Sequence, residues 1–308
     1  MRLSGLSGYY RQETIKMKYS KFYILLLSCA VLFSCAESKT KQSATIGATQ
    51  IIADESFAPI VEDQHIVFNS IYPQAKIDII YKPEVQVLNL LLQDSINVAI
   101  MSRELLPREA NVFKNKNIII RTNHIATDAV ALITSNTSQD TAITVDEIKS
   151  IMQGKSSKNL VFDNPNSSTV RYLKELAGIK ALPQRGVYAL SSNSEVIKYV
   201  HNNPGTIGVI GYNWMKQPTE ELEPIVKGLK IMAVKGASGS DKYYKPSQNN
   251  LALGLYPLNR ELYIINCQGG SGLGTGFAAF LASERGQRIM LKSGLLPDSI
   301  PSREIIIR

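Results

Sequence analysis

VFDNPNSSTVRYLKELAG, residues 161–178, is the stretch on which the fold turns. An apolar pair, Val161 and Phe162, runs into Asp163-Asn164-Pro165-Asn166. Ser167, Ser168 and Thr169 follow, and a helix-like pattern then stops at Gly178. Strand, polar loop and helix in that order make one unit of an α/β sheet. Hydroxyls, an amide and a carboxylate stand where the helix begins. They serve either as ordinary caps for its first N–H groups, or as a seat for a small polar guest at the positive end of the helix dipole.

The same alternation extends both ways along the chain. Strands are expected at Ala44–Thr49, Lys76–Tyr81, Ile96–Met101 and Ile118–Ile120. Helices are expected where Phe57, Ile60, Val61 and Phe68 recur, over Val85–Leu92, and after Pro107. A second set follows: strand Ala129–Thr134, helix Val145–Met152, strand Leu160–Phe162, helix Glu195–Val200 and strand Thr206–Ile210. Residues 218–254 resist assignment, and GASGSDKYYKPSQNN (236–250) has loop composition. A strand, Leu262–Ile265, and a helix, Phe277–Met290, close the chain. Strands separated by helices predict parallel-rich sheets with both faces covered. Two such sets and a returning tail predict two lobes around a ligand cleft. Lobe I takes residues 44–126 and 256–308, and lobe II takes 127–255.

The N-terminal residues read as a targeting segment. Met17 opens MKYSKFYILLLSCAVLFSCAES, in which Lys18 and Lys21 precede the 12 mostly apolar residues from Phe22 to Phe33. That build is a secretory signal, short for a membrane span. Leu32-Phe33-Ser34-Cys35 resembles a lipoprotein cleavage box with Cys35 as the lipidated residue; Leu26-Leu27-Ser28-Cys29 is a second, shorter candidate. Residues 1–35 are therefore expected to be a signal with Met17 as an alternative start, and 36–43 a linker. Residues 1–34 hold five of the 34 bases and one of the 26 acids, so net charge falls from +8 to +4 without them. No Lys/Arg stripe or aromatic ladder remains to support nucleic-acid binding. Cys267 is then the one cysteine left, which excludes an intrachain disulfide and fits a buried thiol. His65, His124 and His201 lack metal-ligand spacing.

In open α/β sheets ligands bind beyond the carboxyl ends of strands. Three strands here end in polar loops that start helices. They carry Asp54 and Ser56 (with Thr49 and Glu55 beside them), Ser102 and Arg103, and Asp163, Asn166, Ser167, Ser168 and Thr169. Hydroxyls can donate to an oxyanion without adding charge, and Arg103 could make a two-pronged contact. The plainer readings are helix caps, about 1 kcal/mol each, and a surface ion pair for Arg103. GGSGLGTG (269–276) does not match a dinucleotide fingerprint. GASGS and GGSGL each lack the last glycine of a hydrolase elbow.

Four further segments carry a family resemblance. TVDEIKSIMQGK (144–155), NPGTIGVIGYNW (203–214), YPLNRELYII (256–265) and FLASERGQRIMLKSGLLP (280–297) stand in the order found in PstS-like proteins. These are the phosphate-binding type 2 periplasmic binding proteins of ABC importers, and the resemblance covers most of residues 44–300. It implies a two-lobed binding protein without catalysis or cofactor. It would be a monomer, anchored by lipid in the periplasm or cell envelope, handing an inorganic oxyanion, phosphate first, to an ABC permease. Two rival readings use the same fold: a surface lipoprotein or sensor that does not transport, and a phosphate-ester hydrolase. The family's ligand positions fall on Ser56, on Ser102 and Arg103, and on Asp163 to Thr169, with Ser167 and Thr169 matching. Asp163 stands where an arginine is usual, and Asn166 and Ser168 replace glycines. Asp54 and Glu55 bring carboxylates where hydroxyls are usual. A carboxylate accepts hydrogen from a protonated anion and repels a bare one.

Overall fold

The computed structural model describes residues 42–236 and 241–299. Residues 1–41, with the signal segment and Cys35, lie outside the described residues.

The first sheet is built from β1 (Gly47–Asp54), β2 (Ala75–Lys82), β3 (Val98–Met101), β4 (Arg121–Ser135) and β11 (Asn259–Asn266). Its order is β2-β1-β3-β11-β4, with β1, β2 and β3 parallel and β11 antiparallel to both its neighbours. The alternation of side chains divides its core in two. Ile51, Ala53, Val98 and Ile100 face one layer with Phe57, Phe68 and Phe277. Ile52, Ala99 and Met101 face the other with Val87, Leu91 and Phe113. Both faces are thus covered, as a parallel sheet requires.

The second sheet has the order β4-β8-β6-β7, using Ile207–Gly211, Leu160–Phe162 and Val187–Ala189 beside β4. These three are parallel and β4 is antiparallel to them. β4 belongs to both sheets: it pairs β11 up to Ala129 and β8 from Val130. The chain returns beside that crossing. Val130 N–H donates to Leu258 O (2.8 Å), and the Tyr256 hydroxyl donates to Val130 O (2.8 Å). Two adjacent crossings join two separately packed cores, a two-lobed arrangement.

Several boundaries differ from expectation. β1 starts at Gly47 rather than Ala44 and runs to Asp54, because β2 pairs with it from Gly47 to Asp54 and β3 holds Ile52 and Ala53 from the other side. Asp54 thereby becomes a strand end rather than a loop residue. Ile118–Ile120 is not a strand; Asn117 turns with φ 57° and pairing starts only at Arg121. The terminal helix is two, Leu273–Ala282 and Glu284–Lys292. Ser283 is extended and accepts Gly286 N–H at 3.3 Å. A Cβ on Gly286 would lie 2.2 Å from Phe280 O, so the corner needs glycine. The unassigned stretch holds short helices at Glu223–Val226 and Gln248–Ala252 and strands at Leu229–Ile231 and Ala233–Lys235.

Candidate functional site

Helix α5 (Ser168–Ala177, counting helices from Ala58–Ile71 as α1) follows β6 (Leu160–Phe162) after the loop 163–167. Ser167 is its N-cap, accepting Val170 N–H at 3.2 Å, and its own hydroxyl donates to Asp163 Oδ1 at 2.5 Å. Ser168 and Thr169 do not cap. They turn inward to Arg260, whose Nη1 donates to Ser168 Oγ (2.8 Å) and Thr169 Oγ1 (3.1 Å). Capping thus falls to Ser167, while the next two hydroxyls accept from Arg260.

Lobe I supplies the other wall. Asp54 ends β1 and accepts Ser56 N–H at 3.1 Å, which closes a short 3-10 turn, Glu55–Phe57. Trp214 Nε1 (3.0 Å) and Asn213 Nδ2 (3.1 Å) hold Ser56 O from the far side. The Ser56 hydroxyl lies 3.3 Å from Asp163 Oδ2 and 3.4 Å from both Ser168 Oγ and Thr169 Oγ1. These contacts are long for O–H···O bonds, which cluster near 2.7–2.8 Å. Three hydroxyls from two lobes therefore meet with weak mutual bonds.

Arg260 is the cation at this meeting point. Its Nε (3.1 Å) and Nη2 (3.0 Å) grip Asp128 Oδ2, and its guanidinium lies 4.4 Å over the Phe57 ring. Both partners of the pair are buried. Gly211, at the end of β8, makes the approach possible: a Cβ there would meet Ser56 O at 2.9 Å and Arg260 Nη2 at 3.0 Å.

Carboxylates crowd the same place. Asn193, at the start of α6 (Asn193–Asn202), donates from Nδ2 to Glu55 Oε2 (2.6 Å) and Asp163 Oδ2 (3.1 Å). Burial, then the charge of Glu84, pushes Asp54 up to about 7. Burial, then the charge of Asp163, pushes Glu55 up to about 7 as well. Burial also raises Asp163 and Asp128, against the pull of Arg260. Asp54 Oδ2, Asp128 Oδ1 and Asn193 Oδ1 have no hydrogen-bond partner. Unused capacity at the cluster is thus acceptor capacity, which calls for a ligand or a state that brings hydrogens. A cavity of about 290 Å³ opens over it, lined by Asp54, Glu55, Lys82, Asn164, Ser167 and Ser191 among others.

The predicted residues divide accordingly. Asp54, Ser56, Asp163, Ser167, Ser168 and Thr169 lie together. Ser102 and Arg103 lie in an adjoining network. Ser102 Oγ donates to Glu84 Oε2 (2.6 Å), and Arg171 of α5 reaches Ser102 Oγ (2.7 Å) and Glu84 Oε1 (2.5 Å). Arg103 is bound two-pronged to Glu109, at 2.7 and 3.0 Å. Asn166 is exposed; its carbonyl, rather than its side chain, accepts Val85 N–H across the lobes at 3.1 Å. Sequence reasoning did not reach Arg260, Asp128 or Asn193. For Arg260 a signal existed: it shares the inward period-2 face with Leu262 and Ile264. Among the described residues no group of His, Cys, Asp and Glu side chains is arranged to hold a metal ion.

A model of the family described as PBP superfamily domain matches residues 38–285. No curated protein matches. Among solved structures, the chain is similar to a putative phosphate ABC transporter substrate-binding protein with bound phosphate from Clostridium perfringens. The TM-score is 0.68 at 20% identity, over 82% of this chain and 100% of that one. It is similar also to an ABC-type phosphate transport receptor from Vibrio cholerae (0.61, 19%, 82% and 100%). A third is PstS from Borrelia burgdorferi (0.51, 23%, 81% and 98%). At these identities the likeness establishes the fold.

Proposed function

The chain belongs to the PBP superfamily-domain family, and on that premise we propose that it is the substrate-binding component of an ABC importer and holds phosphate between its lobes. The observation that carries this is the meeting of Ser56 from lobe I with Ser168 and Thr169 from lobe II around Arg260. Hydroxyls 3.4 Å from one another can exchange those weak bonds for stronger ones to anion oxygens. Arg260 supplies the positive charge that the family places on the residue here occupied by Asp163. Two of the similar folds carry phosphate in their names, one of them with the anion bound. The protein works as a monomer at the outer side of a membrane, anchored through Cys35, and catalyses no reaction.

A second reading, a sensor or surface lipoprotein that does not transport, draws on a different observation. Arg260 with Ser168 and Thr169, and Arg171 with Glu84, bridge the lobes using the chain's own groups. Calorimetric titration with phosphate, sulfate and molybdate tests the main reading. Phosphate is expected to bind, and Thr169→Val with Ser56→Ala to weaken it at least tenfold. Absence of heat and of thermal shift with phosphate would contradict it. Co-purification of a permease separates transport from sensing. Cys35→Ser is expected to abolish lipid labelling; labelling lost instead in Cys29→Ser would move the anchor.

A further inference from the structure

We propose that anion capture is coupled to the uptake of one proton by Glu55, so that Glu55 sets the protonation state in which the site accepts its ligand. This rests on the oxyanion reading above. Glu55 stands between the buried cluster and the cavity of about 290 Å³. Both its oxygens are taken from lobe II by one residue: Asn193 Nδ2 to Oε2 at 2.6 Å and Asn193 N–H to Oε1 at 3.4 Å. No cation within ion-pair distance touches it among the described residues.

The charges that face Glu55 are mostly of its own sign. Asp54 adjoins it at the end of β1, and Asp163 shares its Asn193 donor. Glu84 lies beyond Asp54, at the start of the helix Glu84–Leu92, and is itself paired with Arg171 and, at 3.9 Å, with Arg103. Glu195, in the first turn of α6, binds Ser191 N–H at the cavity wall. Across the cavity are Lys82 and Tyr81 at the end of β2. Arg260, the buried cation, already contacts Asp128, Ser168 and Thr169. An anion entering here would add like charge beside Asp54, Glu55 and Asp163, none of which is ion-paired with a cation among the described residues, because Arg260 is spent on Asp128 and Arg171 on Glu84.

A proton relieves that conflict with least rearrangement at Glu55. Protonated Asp54 or Asp163 would remain sealed at zero exposure, whereas Glu55 is part-exposed and open to the cavity. Its carboxyl already titrates near neutrality because it is buried beside Asp163. Once protonated it turns from acceptor to donor, and can give that hydrogen to the incoming anion. The balance is simple: one proton moves from solvent to the Glu55 carboxylate as one anion binds, and none is released.

Calorimetry with inorganic phosphate, in two buffers of different ionisation heat, counts that proton. At pH 8 the wild type is expected to take up about one more proton than Glu55→Gln. Its affinity should fall about tenfold between pH 7.5 and 8.5 beyond any fall in the variant. The variant keeps an amide that can still meet Asn193 and should bind at least tenfold more tightly than wild type at pH 8.5. The ligand's own titration is common to both proteins and cancels in the comparison. Binding with equal proton counts in the two would overturn the proton coupling and leave phosphate binding standing. Weaker binding by the variant at every pH with unchanged proton uptake would make Glu55 a lobe clasp only and also overturn it. No phosphate binding by wild type from pH 5 to 8.5 would overturn the oxyanion reading, and this inference with it.

Discussion

Two carboxylate groups in this molecule meet opposite fates. At the cleft, Asp54 and Glu55 are surrounded by hydroxyls, an amide and other acids, and burial pushes both up to about 7. On the outer part of lobe I, Glu261 of β11 and Asp298 beyond β12 (Leu296–Pro297) close on His124 of β4 from its two ring nitrogens. There the His124 contact holds Glu261 below the usual carboxylate range, and the Glu261 contact lifts His124 to about 9. The acids are chemically alike. What differs is whether a cation touches the carboxylate and whether water reaches it: the side chains of Glu261 and Asp298 are 44% and 52% exposed, Asp54 is fully buried. On the proposed function, a site that admits an anion gains nothing from carboxylates locked in the charged state. A latch that ties the strand β12 to the sheet does.

The comparison breaks first at Arg260, where the largest effect is expected. Arg260→Leu would leave Asp128 buried without its partner, at a cost of about 3–5 kcal/mol. Chemical denaturation measures it, and adding Asp128→Asn should recover part of the loss. A cost under about 1 kcal/mol would show that the pair does not hold the lobes' junction.

The next effect is one of pH. Glu55 has a folded value of about 7, above its ordinary 4.5, so the folded state keeps a proton that the unfolded state loses. The stability this provides is full below about 4.5 and is lost as pH rises through 7. Glu55→Gln should therefore stabilise the free protein at pH 8 relative to wild type, by up to about 3 kcal/mol, and much less at pH 4.5. Thermal unfolding at both pH values decides it; equal shifts would mean that the charge of Glu55 is not the cause.

His124 gives the smallest effect, in a different window. Its folded value of about 9 lies above 6.5, so its contribution is full below 6.5 and is lost as pH rises through 9. Because both partners are about half exposed, screening reduces it to about 1 kcal/mol. His124→Gln should lower the unfolding temperature at pH 6 and leave it nearly unchanged at pH 9.5. The same loss at both would assign His124 a packing role against Tyr263 instead.

The fold was legible because its signals are local. Apolar runs such as Ile96–Met101, and polar loops such as Asp163–Thr169, report strand ends and helix starts without reference to the rest of the chain. The break at Ser283 was missed because helical spacing continues through it; the corner rests on the Ser283 cap and on a position 286 with no room for a Cβ beside Phe280 O. The candidate site was half legible for the same reason. Ser56, Asp163 and Thr169 sit on loops whose composition marks them. Arg260 and Asp128 sit inside strands, where a charged residue makes sense only once its partner across the sheet is known. Arg103 drew attention as the cation at a strand end, but Glu109, six residues on, holds it.

The claim that organises all of this is that the anion sits at Arg260, between the hydroxyls of the two lobes. A crystal structure of the protein grown with phosphate tests it directly. The account predicts phosphate oxygens within about 3 Å of the Ser56, Ser168 and Thr169 hydroxyls, beside Arg260, with Arg103 still on Glu109. Phosphate bound instead against Arg103, with Arg260 keeping its contacts to Ser168 and Thr169, would contradict it.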